Sequence, residues 1–160
     1  MAKKVKIKKT LVEQILTKAG IEHTGIQINA LEGELPPEYG RNQIFKTLAL
    51  LGDKTGPIIG IVPITQHLSE KKLAKISGNK KVSMIPQKDL EKTTGYIHGA
   101  NNPVGIRQKH NYPIFIDKIA LDLDQMIVSA GEVGHSIIVA PQELASFVKA
   151  DFADILEDSQ

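Results

Sequence analysis

Ile44-Phe45-Lys46-Thr47-Leu48-Ala49-Leu50-Leu51, then Gly52-Asp53-Lys54-Thr55-Gly56-Pro57, then Ile58-Ile59-Gly60-Ile61-Val62-Pro63 is the stretch on which the fold turns. Two runs rich in Ile, Leu and Val, separated by a Gly- and Pro-bearing segment, read as two strands joined in a hairpin. Hairpin neighbours are antiparallel, so the chain does not follow a regular βαβ winding. A mixed sheet with helices packed on it is expected instead.

The rest of the chain extends that pattern. Thr10 to Gly20 reads as a helix, with Thr10 and Glu13 as a capping box, Leu11, Val12, Ile15, Leu16 and Ala19 as the apolar face and Gly20 as the stop. Ile26 and Ile28 mark a strand edge, and Asn29 to Gly40 reads as a long loop. Leu68-Ser69 before Glu70 to Ile76 and Gly78 gives a short helix with Ser69 as its cap. Val82 to Ile85 reads as a strand, and Pro86 opens a helix through about Thr93. Pro113 to Asp117, Gln125 to Ala130 and Ser136 to Ala140 are further strands, and Pro141 to Lys149 is the last helix. With no repeat or linker in its 160 residues, the chain reads as a single domain over 1–160.

Composition narrows the class. The hydrophobic fraction of 41% with only 4% aromatic residues predicts a core of Ile, Leu, Val and Ala. Cysteine is absent, which removes disulfides, thiolate metal sites and a protein thiol nucleophile. No apolar run approaches the roughly 18 residues of a membrane span, so the chain reads as cytosolic. The net charge of +2 decides little, but lysines gather at Lys71, Lys72, Lys75, Lys80 and Lys81, with Arg107 and Lys109 later, while Asp151, Asp154, Glu157 and Asp158 close the chain. Such a distribution is compatible with a phosphate-bearing partner, although charges of this kind more often form a solvated face.

Thr93 to Gly105 holds three glycines, a proline and two asparagines in thirteen residues. Such a stretch costs backbone entropy and is expected to pack little, which makes it a candidate for close approach of a ligand to the backbone. Gly99 and Pro103 frame it, and its amides form a candidate anion nest or oxyanion hole. Lys46 is the second candidate. Strand alternation puts it with Ile44, Leu48 and Leu50, an apolar set in which an ammonium needs either a partner or a route to solvent.

Other residues carry weaker signals. Ser129 has no GxSxG elbow around it and suits a strand end. The five histidines lack HxH or HExxH spacing, so no metal is implied; His98 reads as a polar loop residue beside Gly99. Asp117, Asp122 and Asp124 have no evident partner and read as a solvated connection, and Gly52 to Gly56 reads as a turn.

These motifs carry a resemblance. Ile44 to Leu48, Lys71 to Lys75, Lys80-Lys81-Val82, Thr94-Gly95-Tyr96, Gly99 to Pro103 as GxxxP, and Val128-Ser129-Ala130-Gly131 occur in the order found in the YbaK/prolyl-tRNA editing-domain family, which the chain resembles from about Ile44 to Ile155. The resemblance implies a mixed α/β fold: a strongly curved, barrel-like mixed sheet ringed by short helices. It implies a freestanding aminoacyl-tRNA deacylase acting on mischarged tRNA, with Cys-tRNA(Pro) as substrate and no cofactor. The implied catalytic residues are Lys46, holding the phosphate of the terminal adenosine and positioning the ester, and Gly99. Thr47, Ala100, Asn101, Asn102, Pro103, Ser129, Gly131 and Gly134 are the implied substrate-binding residues. The implied partners are the CCA end of tRNA and prolyl-tRNA synthetase. Val133 and Ser136 stand where the cysteine-specific members tend to carry a basic residue and an aspartate, which leaves amino-acid specificity open. A noncatalytic module that binds tRNA ends or a synthetase is the alternative reading.

Overall fold

Thr10 caps the first helix, α1 (Leu11–Lys18): its hydroxyl accepts from the Glu13 N–H at 3.2 Å, and the Glu13 carboxylate accepts from the Thr10 N–H at 3.2 Å. The reciprocal box satisfies amides that the helix start leaves without partners. The computed structural model describes residues 9–28 and 39–158, so most of the loop expected over Asn29 to Gly40 lies outside the described residues.

The expected hairpin is β2 (Phe45–Gly52) with β3 (Gly56–Pro63), in register from Phe45 opposite Pro63 to Gly52 opposite Gly56. Its turn is tied down from outside. The Asn79 side-chain oxygen accepts from the Lys54 and Thr55 amides at 2.8 and 3.0 Å, and Asp53 accepts from the Lys80 and Lys81 amides at 2.9 and 3.0 Å. These backbone donors hold the exposed Asp53 carboxyl below its ordinary range. The segment Gly52 to Gly56 is therefore a turn.

α2 (Glu70–Ser77) follows, with Ser69 accepting from the Lys72 amide and Gly78 as a left-handed stop. β4 (Val82–Met84) then pairs antiparallel with β2, on the side away from β3. After α3 (Gln87–Thr94), α4 (Pro103–Lys109) and β5 (Ile114–Asp117), the chain reaches β6 (Met126–Ser129), β7 (His135–Val139), α5 (Pro141–Val148) and β8 (Asp151–Ala153). One sheet has the order β4-β2-β3-β5-β8, with β3, β5 and β8 parallel. The other is an antiparallel sheet of β1 (His23–Gln27), β7 and β6. Among the described residues the strands pair as these two sheets, joined at a parallel bridge between Ile44 and Ile127, and no barrel closes.

β3 shows why the hairpin reads as continuously apolar. Ile59 and Ile61 enter the main core, where α1, α5 and the second sheet also contribute, whereas Ile58 and Val62 enter a second core against Leu68, Leu73 and Ile155. Both faces of this strand are covered, so neither can be polar.

Two elements depart from the sequence reading. α4 lies where an open loop is expected, although its signals are local: Asn102 accepts from the Gly105 amide at 2.6 Å as the cap, and Pro103 occupies the first turn. Gly105 within the run disguises it. β8 is only three residues long, Asp151-Phe152-Ala153, too short to show a pattern, and its pairing with β5 makes it a strand. Asp117 also differs from the solvated connection expected. It is 2% exposed, and its two oxygens accept from the Ile119 and Ile155 amides at 2.9 Å each.

Asp117→Ala should therefore strand two backbone donors and cost about 2–4 kcal/mol of stability, read by chemical denaturation. An effect below about 0.5 kcal/mol would mean that water replaces the carboxylate.

Candidate active site

The two sheets leave a cavity of about 280 Å³ between β2, the loop before α4 and the β6–β7 connection. Alternation along β2 presents different side chains to it. Thr47 shares the face of Phe45 and Ala49, which belong to the main core, while Lys46 and Leu48 take the opposite face; all five line the cavity. No carboxylate lines it among the described residues. Lys46 is half-buried and makes no salt bridge to a described residue, and burial lowers its pKa from the ordinary 10.5.

The loop of Gly99 to Pro103 is built differently from the expectation that it packs little. Ala100, Asn101, Asn102, Pro103 and Val104 are all buried. Polar groups there pair among themselves. The fully buried Thr94 hydroxyl reaches the Asn101 side-chain oxygen at 2.7 Å and accepts from the Tyr96 amide at 3.1 Å, and Asn102 donates to the Ala100 carbonyl at 3.1 Å. The Ala100 amide is committed to the Ile97 carbonyl at 3.0 Å. Of the loop's residues, Gly99 and Asn101 line the cavity, whereas Ala100, Asn102 and Pro103 do not, and Pro103 has no amide hydrogen to offer. Gly99 has φ +89, a conformation that side chains rarely adopt.

Ser129 ties this loop to the opposite wall. Its hydroxyl lies 3.5 Å from the Gly99 carbonyl and accepts from the Gly131 amide at 3.2 Å. Ser129 and Gly134 line the cavity, and Gly131 does not. Gly131 sits at φ +91, where a Cβ would come within 3.1 Å of Val12 and 3.4 Å of Asn102 and Tyr96, so it holds the turn against α1 and the loop.

His135, which the sequence reading does not assign, and Ser136, which it singles out only as a departure from the cysteine-specific pattern, also line the cavity, whereas Val133 does not. Ser136 is opposite Ser129 in the β6–β7 register and is 4% exposed. The pairing of those strands brings it beside Ser129. The His135 Nε2 lies 3.3 Å from the Gln27 side-chain nitrogen. Among the described residues, Thr47 Oγ1 and His135 Nδ1 are the two buried side-chain polar atoms without a hydrogen-bond partner, and both belong to cavity-lining residues. Leaving such an atom without any partner costs about 1–3 kcal/mol, and for His135 Nδ1 the Glu132 carboxylate lies 3.8 Å away. No group of three His, Asp or Glu suited to a metal ion occurs among the described residues. No helix among them is long and apolar enough to cross a membrane.

Comparison with known proteins gives a consistent result. A family model described as an aminoacyl-tRNA editing domain matches residues 37–147. A protein of Enterococcus faecalis (strain ATCC 700802 / V583), provisionally named the Cys-tRNA(Pro)/Cys-tRNA(Cys) deacylase EbsC, is 45% identical over 115 residues, 72% of this chain and 69% of that one. Among solved structures, a candidate trans-editing enzyme for prolyl-tRNA synthetase aligns with TM-score 0.78 at 22% identity, over 92% of this chain and 95% of that one. A hypothetical protein aligns with TM-score 0.81 at 21% identity, over 91% of this chain and 99% of that one.

The buried loop changes what substitution at its glycine should do. Gly99→Ala should destabilise by about 1–2 kcal/mol, because alanine must enter a left-handed conformation. Asn102→Ala should cost a similar amount, about 1–2 kcal/mol, by removing a helix cap. Denaturant midpoints of the two variants check this; parent-like values for both would return the loop to the loosely packed class.

Proposed function

The chain belongs to the aminoacyl-tRNA editing domain family, and on that premise we propose that it is a freestanding deacylase that hydrolyses the ester of mischarged tRNA, with Cys-tRNA(Pro) as its substrate. The observation that carries the reading is the position of Lys46, which among the described residues is the one lysine or arginine lining the cavity. A volume of about 280 Å³ falls at the low end for ligand pockets, which suits a small aminoacyl group. The name of the Enterococcus relative supports cysteine as that group.

In this mechanism the terminal adenosine enters with its phosphate at Lys46 and its aminoacyl ester towards Gly99. An ester is already activated, so placement and charge stabilisation supply much of the acceleration. Negative charge develops on the carbonyl oxygen as the ester carbon is attacked, and the amides of Gly99 and Asn101, residues that line the cavity, are the proposed donors to it. The bond from that carbon to the ribose oxygen then breaks, and the ribose oxygen takes up a proton. The attacking group is water, whose oxygen ends in the released acid, or the substrate's own thiol, whose attack releases the acyl group as a thiolactone; in either case the proton lost by the attacker passes to the ribose oxygen, and the neighbouring ribose hydroxyl serves only to orient or relay, since its own attack would move the ester without cleaving it. Thr47, Ser129 and Gly134 line the aminoacyl end; Ala100, Asn102, Pro103 and Gly131 hold that wall in place. Prolyl-tRNA synthetase is the proposed partner, and the cytoplasm, where charged tRNA is made, is the proposed location.

Purified protein incubated with Cys-, Ala- and Pro-charged tRNA(Pro) should remove cysteine fastest; persistence of all three esters would leave a noncatalytic binding module. Lys46→Ala should lower deacylation at least about a hundredfold with the fold intact, and near-parent activity would remove Lys46 from the mechanism.

The pH profile gives a separate check. Because burial lowers the native pKa of Lys46, the native state binds this proton more weakly than the unfolded chain. Its charge therefore opposes folding at low pH, and that opposition is released as pH rises through the native pKa towards 10.5. Activity that needs the ammonium should fall over the same window, and Lys46→Arg should move the alkaline limb upward. An alkaline limb unmoved by Lys46→Arg would assign the titration to another group.

A further inference from the structure

A second, open cleft of about 700 Å³ adjoins the cavity and shares Lys46, Leu48 and Met84 with it. Resting on the deacylase reading above, we propose that this cleft takes the cytidine nucleotide that immediately precedes the aminoacylated adenosine.

The argument begins with the chain that must thread the site. A nucleic-acid 3′ end is linear, and its last phosphate joins the terminal adenosine to the nucleotide before it. With that phosphate at Lys46 and the adenosine's ester in the cavity, the preceding nucleoside continues past Lys46 on the other side, where the cleft lies. Leu48 and Met84 form an apolar ledge there; Met84 is 46% exposed on the edge strand β4. A polarizable thioether and an aliphatic side chain suit the flat face of a base.

The polar lining then selects among bases. Glu70 and Glu157 border the cleft, neither forms a salt bridge with a described residue, and the Glu157 amide is held by the His67 carbonyl at 2.9 Å. Carboxylates only accept hydrogen bonds, so they match a base with an exocyclic amino group. Cytosine presents one, whereas uracil presents a carbonyl at the same position. Two acidic groups would repel a phosphate, which places the base rather than the backbone beside them. Lys71, on the same rim, is free to meet the next phosphate. Its neighbour Lys72 is not, being engaged by Asp154 and Asp158 at 3.3 and 2.8 Å.

The test uses three cysteine esters: tRNA(Pro) ending in CCA, the same tRNA with the penultimate cytidine replaced by uridine, and cysteinyl-adenosine, which lacks the preceding nucleotide. The parent protein should show kcat/KM about tenfold higher for the CCA end than for the uridine variant. Glu70→Ala/Glu157→Ala should bring that ratio to about one by lowering the rate on the CCA end. Equal parent rates on the two tRNAs would overturn the proposal. So would a fall on cysteinyl-adenosine as large as that on the CCA end. Binding of uncharged microhelices ending in CCA or CUA, measured by fluorescence anisotropy at fixed salt, reads the same preference without chemistry. If no ester is cleaved yet the parent binds CCA about tenfold tighter and the double variant does not, the deacylase reading fails and the cleft assignment stands. Equal binding of both ends in the absence of cleavage overturns both.

Discussion

The register of the β2–β3 hairpin is the constraint from which the site follows. β3 sends Ile59 and Ile61 into one core and Ile58 and Val62 into another, so neither face can turn to water. Because side chains alternate with period two, a slip of one residue in β2 would exchange the faces of Lys46 and Thr47 and drive an ammonium into the main core. Asp53 and Asn79 pin the turn at the far end through four backbone hydrogen bonds. Lys46 is thus placed by apolar packing that it takes no part in.

Facing it is a wall assembled from polar groups. Thr94, Asn101 and Asn102 satisfy one another and the neighbouring backbone, so the loop before α4 is buried without being apolar. Such a network is rigid when complete, because each unpaired member would be costly in a low-dielectric interior. The incompleteness lies one layer further in, at Thr47 Oγ1 and His135 Nδ1, where the cavity begins. Satisfied groups thus hold the wall, and unsatisfied ones belong to residues that face the vacant space.

The basic residues divide by the same test. Arg107, a candidate for phosphate contact by charge alone, donates to the Val148 carbonyl at 2.6 Å and to Asn111 at 3.2 Å, so it secures the end of α5. Lys109 lies 4.8 Å over the Tyr96 ring, and Lys72 is held by two aspartates. Lys46 and Lys71 remain on the walls of adjoining spaces. Charge counted along the chain would have weighted all five equally.

Local signals were legible in the sequence alone. The capping box at Thr10, the Ser69 cap, the hairpin and the apolar strands depend on neighbours a few residues away, and so do the motifs around Lys46 and Gly99 that carry the family resemblance. α4 was equally local, in its Asn102 cap and Pro103, but Gly105 obscured it. Other features belong to the tertiary structure because their partners are distant in the chain. β8 is a strand only beside β5, Asp117 is buried only because Ile155 returns to it, and Ser136 comes beside Ser129 only through the pairing of their strands. Which residues face the cavity and which do not was likewise undecidable from spacing: Gly99 and Ala100 are adjacent in sequence, yet one lines the space and the other spends its amide on Ile97. Sequence determines what each residue can do, whereas the choice among partners is made when separate strands and loops compete for the same hydrogen bonds and the same buried volume.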